Sequence, residues 1–200
     1  MNSIFDAGAA AHPYVKRAWI AAIILALLQT AIIGYTIESH ASILQSGTEV
    51  VLKTAPIDPR DLLRGDYVIL NYEISSVPAS TIVGGLPKEA GEQVLSVRLH
   101  KDPDGFWRIA ESSFGSLEAK PDTVVLKSQP FQYYPGDSEQ TFRVEYGIER
   151  YYVPEGEGAK LETARSDGQL SIAARISGDG QAQIRTLLLD GQPVYEEPLY

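Results

Sequence analysis

The residues best suited to recognition or acid–base chemistry lie in two short segments of this chain. In the first, Arg64, Asp66 and Tyr67 bring a cation, a carboxylate and a phenol together within four positions. In the second, Glu155 and Glu157 place two carboxylates near the start of a predicted helix, where acidic groups are stabilising without any further role. We therefore interpret these five residues as a candidate binding surface and predict no catalytic residue among them.

The residue types on which most catalytic and metal sites depend are scarce. The chain has no cysteine, which excludes disulfides, thiolate catalysis and cysteine-based zinc sites. Its three histidines, His12, His40 and His100, do not cluster. A metal site at the glutamates would need further ligands such as Glu149 or Asp66, and the sequence gives no sign of this convergence. We therefore predict neither a metal nor a cofactor.

The charge distribution makes nucleic acid an unlikely partner. The formal net charge is −9, and from Glu38 onward 15 basic and 25 acidic residues leave about −10. An acidic domain of this kind repels phosphate backbones.

An apolar run over residues 18–37 contains no formal charge. Twenty helical residues rise roughly 30 Å, the thickness of the hydrocarbon core of a bilayer. Lys16 and Arg17 precede the run and Glu38 follows it, so the positive-inside rule predicts a cytoplasmic tail (residues 1–17) and an external C-terminal domain. The alternative is a signal peptide cleaved after Ala41, although signal-peptide cores are usually shorter.

Small side chains recur at every fourth position of the predicted anchor. Such a pattern lets two helix backbones approach closely in lipid. It predicts helix packing against a multi-spanning membrane protein or a second copy of this chain. The residues concerned are Ala18, Ala22, Ala26, Thr30 and Gly34.

Beyond a predicted stalk (residues 38–48), residues 49–200 form one domain with the pattern of a β-rich α+β fold. Short extended runs are bounded by Gly, Pro or Asp, as in a turn-rich sheet protein. Two short helices are expected, over residues 58–65 and 155–166. Strands are predicted over residues 49–54, 67–75, 93–100, 106–111, 123–127, 141–146, 169–176 and 181–189, with a last extended piece at Val194 and Tyr195.

The predicted strand over residues 67–75 has one apolar face. Alternation places Val68, Leu70, Tyr72 and Ile74 on that face, which we expect to be buried. Tyr67 falls on the more polar face and is the residue of this segment best placed to meet a partner.

The segment Gly65-Asp66-Tyr67-Val68-Ile69-Leu70-Asn71-Tyr72 matches the pattern Gly-Asp-Tyr-x-x-Leu-x-Tyr. With its flank at residues 58–64 and the later segment at residues 151–158, it resembles the GDYXXLXY family of bacterial membrane-anchored proteins. The resemblance implies no defined activity. It implies a bacterial inner-membrane protein with a periplasmic domain, encountered beside multi-spanning membrane proteins.

Three functions are compatible with these features. The first is a non-catalytic periplasmic module that assembles with another membrane protein. The second is a periplasmic ligand-binding or sensor domain. The third is a divergent hydrolase, because residues 64–68 resemble the Arg-Gly-Asp-x-Val strand of signal peptidases. The only methionine is Met1, so the Ser-Met nucleophile box of those enzymes is absent, and neither Lys53 nor Lys88 has an identifiable serine partner. A Ser-His-Asp site would have to use His100.

Overall fold

In its described residues the chain is strand-rich, with one long N-terminal helix and one short later helix, which confirms the predicted fold class. By its internal contacts it divides into two compact units, Met1–His40 and Ala41–Tyr200. The computed structural model describes residues 13–55, 67–136, 141–154 and 156–198.

Helix α1 (Pro13–Ser46) contains the predicted membrane segment. Its span Arg17–Ser46 is long and apolar enough to cross a membrane, with a mean hydropathy of 2.2. Every side chain from residue 18 to residue 37 is exposed. Because large apolar side chains lie on all sides of this stretch, it has the character of a helix in lipid rather than of a helix with one core-facing stripe.

The predicted stalk, residues 38–48, is helical as far as Ser46. Within the second unit, Ala41 and Leu44 are buried, so this end of the helix packs into the folded domain. Gly47 ends the helix, and its N–H donates to the Ile43 carbonyl at 2.9 Å. A Cβ at Gly47 would lie 2.6 Å from that carbonyl oxygen, so only glycine fits here without a shift.

The described part of the second unit is built from antiparallel strands in five sheets. The strands are β1 (Thr48–Lys53), β2 (Tyr67–Ile69), β3 (Ser76–Pro78), β4 (Gly91–Gln93), β5 (Ser96–Lys101), β6 (Trp107–Ser113), β7 (Thr123–Lys127), β8 (Phe131–Tyr133), β9 (Thr141–Arg143), β10 (Arg150–Tyr152), β11 (Leu170–Ile176), β12 (Ala182–Leu189) and β13 (Gln192–Glu196). One sheet has the order β1-β11-β12-β13 and another β6-β5-β7, while β2 pairs with β10, β3 with β9 and β4 with β8.

Most strand predictions are confirmed within about two residues. The confirmed strands are β1, β6, β7, β11, β12 and the final β13. The predicted turns are also found. The Asp102 carbonyl accepts the Gly105 N–H at 2.9 Å between β5 and β6, and the Ser177 carbonyl accepts the Gly180 N–H at 3.0 Å between β11 and β12.

The single strand predicted over residues 67–75 is wrong in extent. β2 ends at Ile69, and a 3₁₀ turn (Glu73–Ser75) follows before β3 begins. The Leu70 N–H still donates in register to the Glu149 carbonyl at 2.8 Å, and the backbone then changes partners, because Tyr72 bridges to Thr54.

Buried and more exposed side chains nevertheless alternate along this segment as predicted. Val68, Leu70, Tyr72 and Ile74 are each no more than 3% exposed, whereas Tyr67 is half-buried. The face assignment is therefore confirmed although the strand is not continuous.

Two other predicted strands are also corrected. Residues 93–100 are divided between β4 and β5. The strand expected over residues 141–146 ends at Arg143, because its partner β3 begins only at Ser76, after the 3₁₀ turn. The Val144 N–H still donates in register to the Ser75 carbonyl at 2.9 Å.

Helix α2 (Gly158–Ser166) is shorter than the helix predicted over residues 155–166. Glu157 is its N-cap, so it precedes the first helical turn, and that turn contains no acidic residue. Glu157 thus lies at the start of the helix, as predicted, and Glu155 lies outside the described residues. The other predicted helix, residues 58–65, lies outside the described residues.

Candidate functional site at the Gly-Asp-Tyr segment

The two segments singled out by sequence lie side by side. β2 and β10 pair antiparallel, with Tyr67 opposite Tyr152, Val68 opposite Tyr151 and Ile69 opposite Arg150. The chain thus brings together residues more than eighty positions apart. Sequence reasoning noticed both segments but gave no reason to pair them.

Tyr67 and Tyr152 form an aromatic pair on the outer face of this ribbon. Their ring centroids are 6.0 Å apart, with the planes tilted by 58°. Tyr152 is 72% exposed, so the pair offers a flat, partly apolar surface to a partner.

On the buried side of the Gly-Asp-Tyr segment, two tyrosine hydroxyls donate to main-chain carbonyls. Tyr72 donates to the Ile148 carbonyl at 2.5 Å, and Tyr146 donates to the Ile74 carbonyl at 2.7 Å. Burial raises the pKa of both phenols, so both stay neutral and act as donors. These hydroxyls join the motif to the 146–149 turn and are not available for chemistry.

Glu149 organises that turn with both carboxylate oxygens. One accepts the Tyr146 N–H at 2.5 Å and the other the Gly147 N–H at 2.9 Å. Burial raises the pKa of Glu149 by more than these two hydrogen bonds lower it. Gly147 has a φ of +83°, a conformation that favours glycine. Glu149 is therefore a local structural acceptor, and the described residues contain no group of three or more metal-ligating side chains.

Arg165 of α2 is a further residue of this region whose role the sequence did not reveal. Its side chain is buried, and Nη1 donates to the Ile69 carbonyl at 2.6 Å. The sequence identified Arg165 only as a basic residue near a helix end. Its contact with β2 depends on tertiary packing.

Of the five predicted binding residues, the structure describes two. Tyr67 lies in β2 and Glu157 precedes α2, whose Arg165 contacts β2, so both belong to the same part of the domain. Arg64, Asp66 and Glu155 lie outside the described residues.

The hydrolase alternative finds no supporting geometry in the described part of the chain. His100 Nε2 lies 2.7 Å from an Asp102 carboxylate oxygen, but its Nδ1 is buried and meets no hydrogen-bond partner there. Arg108 also binds Asp102. Lys53, considered as a base, pairs with Glu73 at 3.1 Å.

The five predicted packing residues of α1 are all exposed. Thr30 donates its hydroxyl to the Ala26 carbonyl at 2.9 Å, which satisfies this polar group within the helix. A Cβ added at Gly34 would meet nothing within 4 Å. Ala18, Ala22, Ala26, Thr30 and Gly34 are thus open to lipid or to another helix.

Comparison with known proteins identifies one family. The family model described as GDYXXLXY protein matches residues 29–187, which is most of the chain. No curated protein and no solved structure matches this chain.

Proposed function

The chain belongs to the GDYXXLXY protein family, and we propose that it is a single-pass accessory protein of the bacterial inner membrane that assembles with another membrane protein. The N-terminus lies in the cytoplasm and the strand-rich domain in the periplasm. The helix is an uncleaved signal anchor, and the protein has no catalytic activity of its own.

The observation that carries this proposal is the exposed surface of α1. Side chains from residue 18 to residue 37 are all exposed, and the small residues among them recur with a period of four. This period slightly exceeds the 3.6 residues of a helical turn, so the stripe winds slowly around the helix. Such a stripe suits a partner helix that crosses at an angle, as small-xxx-small pairs do.

The charges at the ends of the apolar run support the orientation. Lys16 and Arg17 precede it, whereas Glu38 follows it. Basic residues next to a membrane span are retained on the cytoplasmic side.

The motif supports an architectural rather than a catalytic role. The Tyr72 and Tyr146 hydroxyls donate to main-chain carbonyls, and the Glu149 carboxylate accepts main-chain N–H groups. The exposed Tyr67–Tyr152 pair remains as a contact surface on the same ribbon.

The proposal is tested by co-purification of the full-length protein from its native membrane in mild detergent. The double variant Ala22→Leu/Ala26→Leu keeps the hydrophobicity needed for insertion but blocks close helix approach. We expect it to insert and to lose a stoichiometric membrane partner that the parent retains. The mass of the complex distinguishes a multi-spanning protein from a second copy.

The matched control is Ile24→Ala/Leu28→Ala, which alters other positions of the same helix. It should retain the partner. The proposal is wrong if the leucine variant inserts and keeps every partner of the parent, or if the parent purifies as a monomer under all mild conditions. A mature protein that begins at Ser42 would contradict the anchor.

A further inference from the structure

A hollow of about 360 Å³ lies between β8 and β9, lined by residues 131–134 and 141–143. We refer to it as the β8–β9 slot. The two segments are neighbours next to it, because the Gln129 N–H donates to the Glu145 carbonyl at 2.6 Å just before β8 and just after β9. Further on, no ladder joins them among the described strands, since β8 pairs with β4 and β9 with β3. The slot is therefore a gap between two strands that diverge.

The main-chain groups of β8 that point into the slot follow from the hydrogen bonds beside it. Along a strand, the N–H and C=O groups of successive residues point to alternate sides. The Gln129 N–H points towards β9, whereas the Ser128 N–H donates to the Leu95 carbonyl on the other side. Phe131 and Tyr133 have the same parity as Gln129, so they direct their main-chain groups into the slot.

The same alternation applies to β9. The Glu145 carbonyl points towards β8, whereas the Val144 N–H donates to the Ser75 carbonyl on the β3 side. Thr141 and Arg143 therefore also direct main-chain groups into the slot. No described strand pairs with either inner edge. An unpaired strand edge is a template on which another extended chain can add.

An aromatic cluster explains why the two strands do not pair with each other. The register set by the hydrogen bond beside the slot would place Gln132 opposite Phe142, and opposite residues share a face of a sheet. Tyr133, the neighbour of Gln132, would then lie on the other face from Phe142. Both aromatic side chains are nevertheless buried together, with ring centroids 6.2 Å apart, and each packs against Phe114. Core packing thus keeps the slot open.

The surroundings of the slot define the chemistry of its occupant. Main-chain donors and acceptors along two strand edges complement an extended peptide backbone. The core side is aromatic, since Phe131 is half-buried with its ring 6.2 Å from that of Phe114. On the outer side, the lining residues Gln132, Thr141 and Arg143 are exposed and polar. Three extended residues span about 10 Å, so a segment with one apolar residue between two polar residues matches the two three-residue strands.

We propose that the β8–β9 slot binds an extended peptide segment of a partner protein by β-strand addition. The main chain of the segment pairs with the inner edges at Phe131, Tyr133, Thr141 and Arg143. Its apolar side chain contacts Phe131, and the two flanking polar side chains face outwards. This proposal is independent of whether α1 has a membrane partner, because it depends only on the strand-rich unit.

The test is a titration of the full-length protein in detergent with acetyl-Thr-Val-Thr-amide, followed through backbone amide resonances. We expect saturable shifts centred on residues 131–134 and 141–143. The same peptide with N-methyl-valine keeps all three side chains but lacks the central N–H, so it should bind at least about tenfold more weakly. Acetyl-Thr-Gly-Thr-amide lacks the apolar side chain and should bind at least about threefold more weakly.

Two variants at one position test the inner edge of β9. Thr141→Pro removes the main-chain N–H that points into the slot and should weaken binding of the valine peptide about tenfold or more. Thr141 is the first residue of β9, where proline is tolerated, and it is opposite Pro78, which has no N–H. The matched control Thr141→Val keeps the N–H and the β-branched shape and should retain binding.

The N-methyl peptide is measured on the unaltered protein, so this arm stands even if Thr141→Pro is unstable. Equal binding of the valine peptide and its N-methyl form would overturn the proposal, as would the absence of saturable shifts or unchanged binding in Thr141→Pro. Shifts of the same amides on dilution of the protein without peptide would show that a second copy occupies the slot, and would also overturn it.

Discussion

The motif and the β5–β6 hairpin satisfy their polar side chains in different ways. At the motif, the Tyr72 and Tyr146 hydroxyls each donate to a carbonyl more than seventy residues away. At the hairpin, Arg108 binds the carboxylates of Asp102 and Asp104, which lie within six positions of it. Buried hydrogen bonds between distant segments stabilise the core, whereas exposed ion pairs within one turn contribute little. The sequence pattern that identifies the family thus belongs to the architecture of the core.

The largest change in the free energy of unfolding is expected from a substitution on the buried face of the motif. Leu70→Ala should lower the free energy of unfolding by roughly 2–5 kcal/mol, because Leu70 is 1% exposed and its removal leaves a cavity. Urea unfolding of the full-length protein in detergent, followed by circular dichroism, measures this. Leu86→Ala, at a half-exposed leucine, is the control and should change stability little. If both variants unfold alike, the motif is a surface site and the comparison fails.

A pair of substitutions tests the comparison directly. Tyr72→Phe leaves the Ile148 carbonyl without its donor and should cost about 1–3 kcal/mol. Arg108→Gln removes the ion pairs of the exposed turn and should change stability little. The same unfolding assay is used for both variants. Equal destabilisation would mean that the two regions do not differ in this way.

The smallest effect concerns the pH dependence of stability. Burial holds the pKa of Glu149 above its usual 4.5, so the folded state binds this proton more tightly than the unfolded state. The contribution of Glu149 to the free energy of unfolding is therefore largest below pH 4.5 and is lost as the pH rises through the folded pKa.

Glu149→Gln should remove this component, so that the parent loses stability relative to the variant as the pH rises above 4.5. Unfolding curves at several pH values measure the difference. Glu92→Gln, at an exposed glutamate, should follow the parent throughout. If the difference in the free energy of unfolding between Glu149→Gln and the parent stays constant as the pH changes, the Glu149 carboxyl has the same pKa in the folded and unfolded states and the prediction is wrong.

Much of the fold followed from local pattern. The alternation of apolar residues correctly predicted a buried face made of Val68, Leu70, Tyr72 and Ile74. The prediction holds although the backbone between these residues is not one continuous strand. The turns at residues 102–105 and 177–180 followed from Asp, Pro and Gly. The break after Ile69 did not follow, because it depends on a change of partner from β10 to Thr54, which bridges to Tyr72 from another part of the chain.

The candidate sites were less predictable than the fold. Tyr67 was identified as outward-facing, but its neighbour Tyr152 was not, because their contact depends on the register of β2 against β10. The contact of Arg165 with the Ile69 carbonyl has no sequence signature either, since it depends on how α2 packs against β2.

The sequence by itself determined an apolar helix, an acidic strand-rich domain and the face of the motif that is buried. Each of these depends on the types of the side chains and on their spacing along a single element. Both are properties of a short stretch of sequence. Only the tertiary structure decided which elements meet: β2 with β10, Arg165 with the Ile69 carbonyl, and the Tyr146 hydroxyl with the Ile74 carbonyl. Those contacts join residues 72 to 96 positions apart. Their choice depends on strand register and on packing of the whole core, which no short segment encodes.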